Sequence, residues 1–208
     1  ELGAPFSDPM ADGPVIADAS RIALENGATL PKILEMARRI RERHPGTGLI
    51  LFSYMNVMFS YGLERLGKEL KEIGIDGILP VDLPLEEREE LFGICRANGL
   101  HLIPLVTPAT PLERAKAIVR DATGFIYCVS VRGITGMRDS LPPEIADQLE
   151  AVKRISPVPV AVGFGISNGA TAHAMARHAD GVIVGSAFVK AEDKVLLMHE
   201  LAESLRKD

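Results

Sequence analysis

The sequence predicts an α/β fold of the TIM (β/α)8 barrel type. Three observations carry that expectation. Short apolar, β-branched runs recur at Ile50–Ser53, Gly77–Val81, His101–Val106, Gly124–Val129, Val158–Val162 and Gly181–Val184. Amphipathic stretches of helical period separate them, so the spacing is that of βα units rather than hairpins. The glycine-rich turns fall late, at Gly163-Phe164-Gly165 and Gly185-Ser186.

Near-continuous apolar runs imply strands buried on both faces, as in a parallel sheet. Such a chain folds as an open doubly wound sheet or as a closed barrel. An open dinucleotide-binding sheet wants G-x-G-x-x-G after its first strand, and the sequence has none. Glycines after the last two strands fit the phosphate-binding end of a barrel instead. On that register the six runs are barrel strands 3 to 8, and strand 2 ends at Glu1. A closed barrel takes ~250 residues. The first strand, the first helix and most of the second strand are therefore expected to lie outside these 208 residues, which are read as one barrel domain, 1–208.

The helices carry their own punctuation. Leu63–Ile73 should end at Gly74 and Glu86–Ala97 at Asn98-Gly99, where glycine suits a left-handed cap. Thr110-Pro111-Leu112-Glu113 has the order of an N-cap, a first-turn proline and a capping-box glutamate. Ser167 is the expected cap of the following long helix, and Asp193–Arg206 the closing one.

Composition narrows the function classes. A net charge of -5 and a pI near 5.6 lack the basic surface of a nucleic-acid binder. No apolar run reaches the ~18 residues of a membrane span. The opening Glu1-Leu2-Gly3 has no signal-peptide pattern, nor an initiator Met. Cys95 and Cys128 read as reduced core residues, as expected in the cytoplasm. No His or Cys spacing suggests a metal. His44, His173 and His178 read as surface helix residues.

Chemistry in such barrels gathers at the C-terminal ends of the strands. The first fourteen residues, Glu1-Leu2-Gly3-Ala4-Pro5-Phe6-Ser7-Asp8-Pro9-Met10-Ala11-Asp12-Gly13-Pro14, are dense in Pro, Gly and carboxylates. They read equally as a solvated loop with Asx turns, to which Asp8 belongs as readily as to a site. The sharper expectation pairs Glu1 and Asp12 in one pocket. Phe52, Leu79, Leu105 and Phe164 sit where strands end and could wall an apolar slot, although Leu79 and Leu105 suit a barrel core as well. Tyr54 and Tyr127 add hydroxyls on apolar bodies. Gly136, Gly165, Gly185 and Ser186 offer backbone N–H groups to a phosphate, with a short helix expected from Ser186. The polar stretch Ser130–Leu141 reads as a lid or a plain loop.

Glu1–Pro14 resembles the signature of the tryptophan synthase alpha family nearly residue for residue. The likeness continues, in order, through Tyr54-Met55-Asn56, Val81-Asp82-Leu83-Pro84, Thr107-Pro108, Tyr127, Gly133-Ile134-Thr135-Gly136, Gly163-Phe164-Gly165-Ile166-Ser167 and Gly185-Ser186-Ala187. The resemblance implies a lyase that splits indole-3-glycerol phosphate into indole and D-glyceraldehyde 3-phosphate. It implies Glu1 as the acid–base group, Asp12 as acceptor of the indole N–H, and Thr135 beside the substrate. It also implies no cofactor or metal in this chain, and a pyridoxal-phosphate beta subunit as partner in an alpha2beta2 complex. Absence of Trp is compatible with an enzyme of tryptophan synthesis. Two other readings remain at this point: a different phosphate-binding barrel, which leaves Glu1–Pro14 unexplained, and a non-catalytic regulatory subunit.

Overall fold

The structure, a computed structural model, describes residues 1–129, 143–163 and 165–206. The described chain sets one or two helices after most strands and divides into two compact units, Glu1–Ile103 and Pro104–Asp208.

In the first unit, four parallel strands lie in the order β1 (Leu2–Gly3), β2 (Ile50–Ser53), β3 (Gly77–Pro80) and β4 (His101–Leu102). Helices α1 (Pro14–Glu25), α2 (Leu30–Arg43), α3 (Met55–Tyr61), α4 (Leu63–Ile73) and α5 (Glu89–Asn98) connect them, with a 3-10 turn at Leu85–Glu87. Leu51 and Ile78 join the helices' Leu34, Met58, Leu66 and Leu70 in the core. Their neighbours Phe52 and Leu79, paired in register, point to the other face, as alternation in a strand requires.

The second unit repeats the plan. Its parallel order is β5 (Leu105–Val106), β6 (Ile126–Val129), β7 (Val160–Gly163) and β8 (Gly181–Val182). The helices are α6 (Leu112–Val119), α7 (Pro143–Ile155), α8 (Gly169–Ala176), α9 (Ser186–Lys190) and α10 (Lys194–Ser204). Val106, Ile126, Val160 and Val162 meet Val119, Leu149, Val152 and Leu201 in its core.

An Asp-Gly pair opens one strand in each unit and braces the strand before it. Asp76 Oδ2 accepts from Leu49 N at 2.7 Å, and Asp180 Oδ2 from Val160 N at 2.8 Å. A basic side chain completes each brace: Arg41 reaches Asp76 at 2.8 Å and Lys153 reaches Asp180 at 2.9 Å.

Helices α4 and α5 end at Gly74 and Gly99, both left-handed, as expected. Other boundaries differ. The first strand runs past Glu1 to Gly3, because Leu2 and Gly3 pair with Leu51 and Phe52. The run His101–Val106 forms two strands, since Pro104 has no N–H to give to a ladder. The segment Glu86–Ala97 begins as a 3-10 turn, and its α-helix starts only at Glu89. Thr110 is not the cap of α6. Pro111 holds that position, while Thr110 Oγ1 accepts from Thr107 N at 3.1 Å. Ser167 yields the α8 cap to Asn168, whose side chain forms a capping box with Thr171. Asp193 caps α10 through Leu196 N at 2.9 Å. His173 and His178 are half-buried, and the His173 ring meets Ser204 O at 3.2 Å.

Candidate active site

The first unit gathers its polar groups where β1 and β2 end. Ser53 closes β2, fully buried, and its hydroxyl donates to Ala4 O at 3.1 Å. Ala4 N donates in turn to Phe52 O at 2.9 Å, so the loop after β1 leaves the sheet along a fixed line. That loop carries Asp12 to the side chain of Tyr54. The Tyr54 hydroxyl donates to Asp12 Oδ2 at 2.9 Å and accepts from Ala11 N at 3.0 Å. Phe6 leans on the Tyr54 ring, with centroids 5.1 Å apart. Only 4% of Tyr54 is exposed.

Electrostatics follow from this enclosure. Burial pushes the Asp12 carboxyl above its ordinary value of 3.8, and the Tyr54 hydrogen bond pulls it partly back. Burial also pushes the Tyr54 phenol up to about 12, so it stays a hydrogen-bond donor at any physiological pH. Desolvation by burial pushes the Glu1 carboxyl above its ordinary value of 4.5. Glu1 as a whole residue is exposed. The carboxyl is the part that titrates, so its own desolvation governs its pKa.

Phe52 is half-buried beside the fully buried Leu79. The structure thus brings Asp12 and Tyr54 into contact and sets Phe52 next to Leu79. The Tyr54 hydroxyl, expected to meet a substrate, is engaged with Asp12 and Ala11.

In the second unit, Leu105 pairs with Tyr127 in register. The Tyr127 ring lies across Gly163, where any side chain would collide with it. Gly165 has φ +55°, a left-handed conformation that explains the glycine. Helix α9 does start at Ser186, with Gly185 at its N-cap and no side-chain cap. By contrast the start of α8 is occupied: Asn168 Oδ1 takes Thr171 N, and Glu200 Oε1 of α10 takes Gly169 N at 2.7 Å. A Cβ at Gly185 would meet no protein atom within 4 Å. Thr135, Gly136, Phe164 and the stretch Ser130–Leu141 lie outside the described residues. Among the described residues no group of His, Cys, Asp and Glu could hold a metal.

Sequence reasoning gave no role to Phe6, Ser53, Asp82 or Gly163, although Phe6, Asp82 and Gly163 lie in the motifs that carry the resemblance. Each acts through a partner distant in sequence.

Comparison with known proteins decides the family. The family model for the tryptophan synthase alpha chain matches residues 1–206. The chain belongs to the tryptophan synthase alpha family. It is 48% identical to the alpha chain of Shouchella clausii over 190 residues, 91% of this chain and 70% of that one. With the alpha chain of Methanocaldococcus jannaschii it shares 43% over 196 residues, 94% and 70% of the two chains. Among solved structures, tryptophan synthase from Mycobacterium tuberculosis superposes with a TM-score of 0.92 at 34% identity, covering 100% of this chain and 81% of that one. The tryptophan synthase complex from Pyrococcus furiosus gives 0.86 at 37% identity, covering 98% and 83%.

The fold class is accordingly the α/β barrel class of this family. The tryptophan synthase alpha chain is a lyase that cleaves indole-3-glycerol phosphate in tryptophan biosynthesis, and this chain has that activity. The readings as another phosphate barrel or as a regulatory subunit fall away. An alpha chain needs no cofactor of its own. No helix among the described residues is long and apolar enough to cross a membrane.

Proposed function

We propose that Glu1 and Asp12 divide the work of the cleavage between them. The reaction breaks the bond between indole C3 and the first carbon of the glycerol phosphate. Indole leaves only after C3 has gained a proton, and the glycerol hydroxyl must lose one to become the aldehyde. The bonding pair returns to the indole ring, so atoms and charge balance without any redox partner.

Glu1 does the proton transfers at C3 and at the hydroxyl. A carboxyl with its pKa raised by desolvation suits that task. Asp12 accepts the indole N–H. Protonation at C3 puts positive charge on the ring nitrogen, and a fixed carboxylate stabilises that charge as it develops. The observation that carries this reading is the Tyr54–Asp12 hydrogen bond, which orients the carboxylate before substrate arrives. Phe52, Leu79, Leu105, Tyr127, Thr135 and Phe164 are assigned to the substrate, and Gly136, Gly165, Gly185 and Ser186 to the phosphate. Support for the last pair is the uncapped start of α9 and the open space before Gly185.

The partner in this reading is a pyridoxal-phosphate beta subunit in an alpha2beta2 complex in the cytoplasm. The relative from Pyrococcus furiosus solved as a tryptophan synthase complex supports a partner subunit. The deciding test is Asp12→Asn. Turnover of indole-3-glycerol phosphate should fall while affinity for indole-propanol phosphate stays within about three-fold, because the charge appears during reaction. Unchanged turnover would remove Asp12 from the mechanism.

A further inference from the structure

Tyr54 holds Asp12 only as well as its own backbone is held. It occupies the N-cap position of α3, yet its side chain does not cap that helix. The side chain is turned instead to Asp12 and Ala11. A seven-residue helix whose first N–H groups lack acceptors would fray at that end.

Asp82 supplies the missing acceptor. It lies in the loop after β3, and its Oδ1 receives Met55 N at 2.8 Å. The same loop is stitched to the residue before Tyr54, since Val81 N donates to Ser53 O at 3.1 Å. The carboxylate of one loop thus does for α3 what an N-cap side chain would do. That division leaves the N-cap residue free to serve the site. Asp82 is an exposed residue, so its removal opens no cavity in the core.

We propose that Asp82 is a positioning residue for Asp12, acting through the N-terminus of α3 and the hydroxyl of Tyr54. The inference rests on the assignment of Asp12 to the reaction. Without the Met55 N–H acceptor, the first turn of α3 loosens, the Tyr54 hydroxyl loses its fixed place, and the Asp12 carboxylate is no longer pre-aligned.

The test is steady-state cleavage of indole-3-glycerol phosphate by the full natural chain with its partner subunit, for Asp82→Ala, Asp82→Asn, Tyr54→Phe and the Asp82→Ala/Tyr54→Phe double variant. Asp82→Ala should lower kcat about tenfold with KM within about twofold, the split that marks lost transition-state alignment. Asp82→Asn keeps an acceptor for Met55 N and should stay within about threefold of the parent. In the Tyr54→Phe background, Asp82→Ala should cost less than about twofold more, because residues that act through one another are not additive. Full kcat in Asp82→Ala, an equal loss in the Tyr54→Phe background, or an Asn variant as poor as the Ala one would each overturn the proposal. Asp82→Leu, close to Asp in shape but without an acceptor, replaces the Ala variant should the latter not fold. Asp12→Asn in the same series separates the two claims. If Asp12→Asn keeps its turnover, the reading of Asp12 has failed; if it loses turnover and Asp82→Ala does not, only the present inference has.

Discussion

Tyr127 lies across the backbone of Gly163, two neighbours tied together because β6 and β7 pair Val129 with Gly163. A Cβ at position 163 would run into the Tyr127 ring edge and hydroxyl. Gly163→Ala should therefore destabilise by about 1–3 kcal/mol, the ordinary range for overpacking. The same change in a Tyr127→Ala background should cost distinctly less. Urea unfolding of the four proteins reads the coupling, and equal costs in both backgrounds would refute the contact.

Asp12 and Asp180 should respond to pH with opposite sign. Burial raises the Asp12 pKa, so the folded protein binds that proton more readily than the unfolded chain. Its contribution is favourable below 3.8 and is lost as pH rises through the raised folded value. Asp12→Asn should accordingly gain melting temperature relative to the parent as pH rises through that window. For Asp180, the Val160 N–H and then Lys153 lower the pKa below 3.8. Asp180→Asn should be less stable than the parent above 3.8, and the deficit should shrink as pH falls through the folded value. Melting curves across the acid range check both, and parallel shifts of the two variants would contradict the assignment.

Two glycines assigned to the phosphate should fail for different reasons. At Gly165, φ +55° makes any side chain strained, so Gly165→Ala should cost about 1 kcal/mol of stability. At Gly185, φ is -101° and a Cβ meets open space, so strain from a left-handed backbone plays no part there. Gly185→Val should leave stability nearly unchanged and weaken indole-propanol phosphate, while free indole binds as before. Leu201→Val, in the second core, should cost stability without that selectivity. Calorimetric titration with both ligands is the check. Undiminished binding of the phosphorylated ligand would move the phosphate site elsewhere.

Much of the fold was legible because it rests on period and on glycine. The buried strands Ile50–Ser53 and Gly77–Pro80 and the left-handed ends at Gly74 and Gly99 need only local information. Two of the cap errors arose where neighbours compete for one role. Thr110 could cap a helix or close a turn, and Thr107 N claimed its hydroxyl. Ser167 and Asn168 could both cap α8, and the Asn168–Thr171 spacing decides it, with Thr in the place usual for Glu or Gln. In the site, the roles given to Glu1 and Asp12 came from the family resemblance, since the carboxylate pattern of Glu1–Pro14 alone reads equally as a solvated loop. The engagement of Tyr54 with Asp12 spans 42 residues of sequence, and Asp82 with Met55 spans 27, so neither has a local signature.

The most direct test of the account is single-turnover cleavage of indole-3-glycerol phosphate by Glu1→Gln in the natural full-length protein with its partner. Gln keeps the shape of Glu but cannot exchange the proton. The chemical step should slow by ~10²–10⁴, the usual contribution of a general acid–base group, while indole-propanol phosphate binds within about three-fold of the parent. A Gln variant that cleaves at close to the parental rate would contradict the central role given to Glu1.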